Sequence, residues 1–237
     1  MEIRGTRECR SCGRQWSYYE TGTIRCPDCG AIRSVGIDER RQLHTDGAAE
    51  LDLEPVREAL ADEPLARVAA DLKDRLRSYT NRRGFINGGE LQPLDDRYLA
   101  ARELLQAVDL AVRGRGPTEA EELYVLELFD RAAAGVWPPG TEPPASLEAA
   151  RGLGVAEAVD AYRRDLRTWL DDHPDPEATR TLGSLRDQLK RAEALQGEIP
   201  VETADELVAA TREISDYLRT DDDEALASAR DRLKRLQ

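Results

Sequence analysis

Lysine is almost missing from this 237-residue chain: Lys73, Lys190 and Lys234 stand beside 31 arginines and against 47 carboxylates, for a formal net charge of −13. Acid surplus with little lysine fits a protein adapted to strong brine, where carboxylates stay hydrated and salt screens their repulsion over only ~3 Å at 1 M. A GC-rich genome would also favour arginine over lysine. The acidity is therefore read as an adaptation to solvent rather than as the sign of a basic partner. Aromatic residues are few, with two Phe, three Trp and seven Tyr, so a core has to be built from Leu, Ala and Val. No apolar run approaches the ~18 residues of a membrane span, which excludes a helical membrane protein on sequence grounds. The first ten residues, MEIRGTRECR, are charged and lack the apolar stretch of a secretory signal, so a cytoplasmic location is expected. The two histidines, His44 and His173, have no nucleophile beside them in sequence, and no Walker lysine or G-x-G-x-x-G pattern occurs. Nothing in the residues suggests an enzyme.

What is present is a compact cysteine pattern. All four cysteines fall in the first 29 residues, as Cys9-Arg-Ser-Cys12 and Cys26-Pro-Asp-Cys29, with thirteen residues between the pairs. A doubled C-x-x-C at about this spacing reads as a zinc site in which four thiolates close a tetrahedron and leave no position for water. One structural Zn²⁺ is expected. Glycine follows each pair, at Gly13 and Gly30, where a tight turn needs a positive φ. Strand formers in Arg14–Tyr19, a turn at Glu20–Gly22, a returning strand at Thr23–Arg25 and a third at Ala31–Val35 predict a small β ribbon over residues 1–36. Two disulfides would need an oxidising compartment, and a thioredoxin-like site would need a βαβ context; iron remains a minor alternative to zinc.

The stretch CRSCGRQWSYYETGTIRCPDCG, from Cys9 to Gly30, resembles the N-terminal ribbon of transcription factor IIB and its archaeal relatives. More closely, the chain resembles an uncharacterised haloarchaeal family of transcription-factor-IIB-type zinc-ribbon proteins. The first resemblance covers residues 1–36 only. It implies a ribbon that docks on a transcription machine. The four cysteines carry over, whereas the body is too small for the ten cyclin-like helices that bind promoter DNA in that family.

Residues 37–53 are polar without a sustained period and predict a linker. From Glu54 onward apolar residues recur at three and four. The predicted stripes are Leu65, Val68, Leu72, Leu76 and Tyr79; Leu94, Tyr98, Ala101, Leu105, Val108 and Val112; Leu123, Leu126, Phe129 and Ala133; Val155, Val159, Tyr162, Leu166 and Trp169; Leu182, Leu185, Leu189 and Ala192; Leu207, Ala210, Ile214 and Tyr217; and Leu226, Ala229, Leu233 and Leu236. Gly114 and Gly116 end one helix, Pro117-Thr118 starts the next, Asp175-Pro176 restarts another, and Thr203–Glu206 fits a capping box. The proline-rich segment 137–146 predicts a boundary between two sub-bundles, 54–136 and 147–237. An echo of Ser184–Arg191 at Ser228–Arg235 is read as convergence of amphipathic helices. The expected fold is mainly α: a small N-terminal β zinc ribbon followed by an antiparallel helical bundle or helical hairpins.

Charge divides unevenly. Residues 1–41 carry eight arginines against six carboxylates, and residues 42–237 carry 26 basic residues against 41 acidic ones. Zinc and its thiolates bring the ribbon near neutral, so its arginines are the expected contact surface. Arg10, Arg14, Arg25 and Arg33 offer phosphate partners and Trp16, Tyr18 and Tyr19 offer stacking faces, although Trp16 suits the ribbon's own core better. Arg82 and Arg83, beside Gly84 and the pair Gly88-Gly89, form a second candidate, either a phosphate cradle or a plain helix end. His173 and the run Asp221–Glu224 read as helix ends. The expected function is a non-enzymatic binding protein that contacts nucleic acid or the transcription or translation machinery through its ribbon. The alternative is a protein–protein adaptor with a purely structural ribbon. A protein partner is expected in either case.

Overall fold

The computed structural model describes residues 1–113 and 116–237. The expected stop at Gly114 lies outside the described residues. The chain begins with strand β1 (Glu2–Ile3), followed by β2 (Thr6–Cys9) and β3 (Gln15–Ser17). At Ser17 the strand stops, because the Ser17 hydroxyl accepts the Glu20 N–H and caps a single helical turn, α1 (Tyr18–Thr21). Gly22, at φ 59°, closes that turn. Strand β4 (Ser34–Gly36) then completes a three-stranded antiparallel sheet in the order β3-β2-β4, with Arg7 opposite both Trp16 and Gly36. The expected ribbon is present, but Tyr18 and Tyr19 are helical and Thr23–Arg25 is not a strand. The Thr23 carbonyl instead accepts the Trp16 indole N–H at 3.0 Å.

Residues 37–53 are not a free linker. Strand β5 (Gln42–Leu43) pairs with β1, Glu2 opposite Leu43. Beyond it the N–H groups of Thr45 and Gly47 donate to the carbonyls of Ile86 and Arg82 at 2.9 and 2.8 Å. Gly47 permits this approach, since a Cβ there would lie 2.7 Å from the Arg82 carbonyl oxygen. The segment thus sews the ribbon to the helical body, with its backbone groups satisfied by both.

The body comprises α2 (Glu54–Leu60), α3 (Leu65–Arg82), a hairpin of β6 (Ile86–Asn87) and β7 (Glu90–Leu91), and then α4 (Asp96–Ala111), α5 (Glu119–Ala134), α6 (Glu148–Asp172), α7 (Pro176–Ala194), α8 (Val201–Thr220) and α9 (Asp223–Arg235). Mainly α, it matches the expected class. Most stripes face the core as expected, with Leu72, Leu76, Tyr98, Val159, Leu166, Leu185 and Ile214 fully buried. The α5 stripe is displaced: Leu123 is 62 % exposed, and the buried face is Tyr124, Val125, Leu128, Phe129 and Ala132. Both sets have helical spacing, and the hydrogen bond of Tyr124 to α4, described below, selects the second. The expected capping box at Thr203–Glu206 is also absent. Helix α8 starts three residues earlier, with Pro200 at the N-cap position, and Glu206 pairs with Arg232 at 2.7 Å. A reciprocal box is found instead at Thr118 and Glu121, ahead of α5.

The two expected sub-bundles share one core. Helix α4 packs against α3, α5 and α6, and α6 packs against α4, α7 and α8, so the central pair comes from opposite sides of the proline-rich segment. Gly154 allows the close crossing, since a Cβ there would lie 2.6 Å from the Glu103 Cα. Trp137, inside the expected break, is only 5 % exposed. Segment 137–146 is a strap across a single body.

Candidate metal centre

Four thiols converge between the two knuckles. The Sγ atoms of Cys9, Cys12, Cys26 and Cys29 all lie within 4.8 Å of one another, with Cys9–Cys29 and Cys12–Cys26 each at 3.6 Å. All four cysteines are free, and these separations far exceed the ~2.0 Å of a disulfide. They lie close to the ~3.8 Å edge of a tetrahedron with metal–sulfur bonds of ~2.3 Å. The four residues could hold a metal ion.

Local sequence builds this geometry twice. Cys9 N–H donates to the Arg14 carbonyl at 2.8 Å and Gly13 N–H to the Cys9 carbonyl at 3.0 Å; Cys26 N–H donates to Ala31 at 2.9 Å and Gly30 N–H to Cys26 at 3.0 Å. Gly13 and Gly30 adopt φ of 76° and 69°, where a side chain would strain the turn. Backbone N–H groups of Cys12 and Ser11 pull the Cys9 thiol down to about 6. The Arg14 N–H acts the same way on Cys12, but hydrogen bonding with the Cys29 thiol and burial outweigh it and push Cys12 up to about 12. Thiols this close do not all ionise unless a cation joins them.

The ribbon's other candidates divide sharply. Trp16 is 8 % exposed and caps the pair Cys9 and Cys26 together with Ala31, so it belongs to the ribbon's core. Arg10, Arg14 and Arg25 face solvent. Arg14 lies 3.7 Å from Asp28, while Arg25 donates to the Gly30 carbonyl at 2.9 Å and braces the second knuckle. Tyr18 and Tyr19 rest on the ring of His44, with centroids 5.8 and 5.0 Å away. His44, expected in a linker, is 2 % exposed at the seam between ribbon and body. Its Nδ1 accepts the Gly88 N–H at 3.4 Å and its Nε2 has no partner. Burial lowers its pKa from the ordinary imidazole value.

The second candidate surface is consumed by the fold. The Arg83 guanidinium reaches Asp46 at 2.7 Å and Asp95 at 3.2 Å, so its charge is neutralised inside the protein. Arg82 is exposed and donates to the Gly47 carbonyl at 3.2 Å. Gly88 and Gly89, at φ 59° and 90°, form the two-residue turn of the β6–β7 hairpin, a demand of hairpin twist rather than of a phosphate. His173 ends α6 and stacks on Trp169 at 3.8 Å, and Asp222 caps α9.

A family match runs over residues 1–233, ribbon and body together. The chain belongs to DUF7117, a family of unknown function. No curated protein and no solved structure matches it.

Sequence reasoning missed the ionic centre of the body. Glu103 on α4 is fully buried; its carboxylate accepts from the Tyr124 hydroxyl at 2.6 Å, the Trp137 indole at 2.6 Å and Arg151 at 3.0 Å. Arg151, 1 % exposed, also reaches Asp205 at 2.5 Å and the Pro138 carbonyl at 3.2 Å, and lies 4.0 Å over the Trp137 ring. One signal was available: Arg151-Gly-Leu-Gly154 places a cation immediately before two closely spaced glycines, after Ala149-Ala150. Every polar atom of the cluster is partnered, and it fastens the strap to α4, α6 and α8.

Proposed function

We propose that the protein is a non-enzymatic docking module of the cytoplasm whose ribbon, held by one structural Zn²⁺ at Cys9, Cys12, Cys26 and Cys29, binds a protein partner. Bound Zn²⁺ would join the two knuckles and neutralise their thiolates, which suits a ribbon with a core as small as Trp16, Ala31 and two cysteines. Free, closely spaced thiols agree with a reducing compartment, and no helix among the described residues is long and apolar enough to cross a membrane. The acidic, lysine-poor surface supports a halophilic, archaeal setting.

The observation that carries the reading is the chemistry left on the ribbon's outside. Ile24 is 50 % and Ile32 64 % exposed, both flanking the second knuckle, among the exposed Arg10, Arg25 and Arg33. Its aromatic rings, which nucleic acid would need for stacking, are spent on Cys9, Cys26 and His44. Exposed isoleucines ringed by arginine match a protein surface with an apolar spot and acidic rim. The likeness of the knuckles to the transcription factor IIB ribbon supports a component of the transcription or translation machinery as that partner.

Affinity purification from lysate at native salt, after nuclease treatment, tests the reading. One protein should be retained by the intact chain and lost with Ile24→Asp/Ile32→Asp, while metal content stays at one equivalent. Retention that depends on nucleic acid, or that survives the double substitution, would contradict it. Cys26→Ser should abolish metal binding.

A further inference from the structure

Outside the ribbon, a pocket of about 210 Å³ opens between α6 and α7. Arg163, Arg167 and Leu170 reach it from α6, and Leu182, Gly183 and Arg186 from α7, each set falling on one helix face at spacings of three and four. The floor is apolar, with Leu170 and Leu182 7 % and 5 % exposed, and the rim is basic. Arg163 is paired with Asp160 at 2.7 Å. Among the described residues Arg167 and Arg186 have no carboxylate within ion-pair distance, although the molecule carries an excess of carboxylates and one of them, Asp171, lines the same pocket. Two uncompensated guanidinium groups beside one aspartate leave the rim cationic on an anionic protein.

Gly183 points independently to an occupant. Glycine weakens a helix interior relative to alanine. At most helical glycines here the backbone explains the choice, as where Gly154 meets Glu103. At Gly183 no positive φ is required and nothing lies within 4 Å of the position a Cβ would take. The chain's own packing does not use the space that this residue leaves open, and that space is in the pocket.

We infer that this pocket binds a small amphiphilic carboxylate, its head group held between Arg167 and Arg186 and its short apolar tail laid over Gly183 between Leu170 and Leu182. Guanidinium groups match a carboxylate in forked geometry, and the volume falls below the ~300–1,000 Å³ typical of drug-sized ligands, which limits the tail to a few carbons. The ribbon and its partner play no part in this site.

Straight-chain carboxylates from acetate to octanoate, titrated into the full-length protein and followed by amide NMR, provide the test, with hexan-1-ol as the neutral control. Butanoate or hexanoate should shift Thr179, Leu182 and Gly183 saturably, more tightly than acetate or hexan-1-ol. Arg167→Gln/Arg186→Gln should weaken binding by about tenfold or more, as expected for loss of charged hydrogen bonds. Gly183→Leu should fill the space of the tail and weaken hexanoate more than acetate. Both variants alter exposed positions, and their folding is checked by circular dichroism. Absence of saturable shifts at α6 and α7, equal binding of hexan-1-ol and hexanoate, or unchanged affinity in the folded variants would overturn the assignment.

Discussion

The ribbon and the helical body solve the same problem with different means. In the ribbon, three buried side chains, Cys9, Trp16 and Cys26, make the whole core, and four thiols sit where a cation would bind them. In the body, a single apolar core runs from Leu53 to Leu233 and contains one fully satisfied ionic cluster. A unit as small as the ribbon buries little apolar surface, and its four clustered thiols could add a metal ion to what holds it. The body has surface enough, and its buried charges act as fasteners. On the proposed reading, the contrast separates stability that a chelator should remove from stability that it should not.

The sharpest way to break that contrast lies in the body. Glu103→Ala leaves Arg151 buried with Asp205 as its only carboxylate, and orphans the Tyr124 hydroxyl and the Trp137 indole. Loss of a buried partner of this kind costs about 3–5 kcal/mol, to be measured by chemical denaturation, with metal content unaffected. A loss under 1 kcal/mol would mean that the cluster is not a fastener.

The seam comes next. The Asp165 carboxylate accepts both the Thr45 hydroxyl and the Phe85 N–H at 2.7 Å. Asp165→Ala should cost roughly 1–3 kcal/mol and raise hydrogen exchange at Phe85 and Ile86. Acid should act at the same seam through His44. Its folded pKa is lowered, so the folded state favours the neutral ring. The associated stability is complete above the unfolded value of 6.5 and is lost as pH falls below it towards the folded value. Asp46 opposes this shift and the N-terminal ammonium group supports it, while Tyr18 and Tyr19 cover the ring. His44→Phe should flatten the fall in melting temperature between pH 7 and 5; an unchanged slope would assign that fall to other groups. The smallest effect is expected at Gly183→Ala, which should stabilise the body by about 0.4–1 kcal/mol, because an added methyl meets nothing.

The same contrast explains what could be read from sequence. The cysteine cluster was legible because its members are local: two C-x-x-C pairs, each followed by glycine, encode their own knuckles. Helical stripes were legible where one apolar face dominates, as in α3. On α5 two faces competed, and the choice depended on Glu103, a residue of another helix. Glu103, Arg151 and Asp205 are joined by contacts 48 and 54 residues apart, which no local spacing announces. Segment 37–53 read as a linker because its order comes from partners distant in the chain, through backbone pairing with Met1, Arg82 and Ile86 and through the side chains of His44, Thr45 and Asp46, and not from any local period. Proline content marked 137–146 as a break, yet Trp137 and the carbonyl of Pro138 tie it down.

Metal analysis and chelation of the reduced 237-residue protein test the account most directly. As isolated, the protein should carry one equivalent of zinc by elemental analysis. Chelation should collapse the amide NMR dispersion of residues 6–36 while α4 and α6 keep their resonances and the body its melting transition. A metal-free protein whose ribbon resonances remain dispersed, or whose body melts together with the ribbon, would contradict the division drawn between the two.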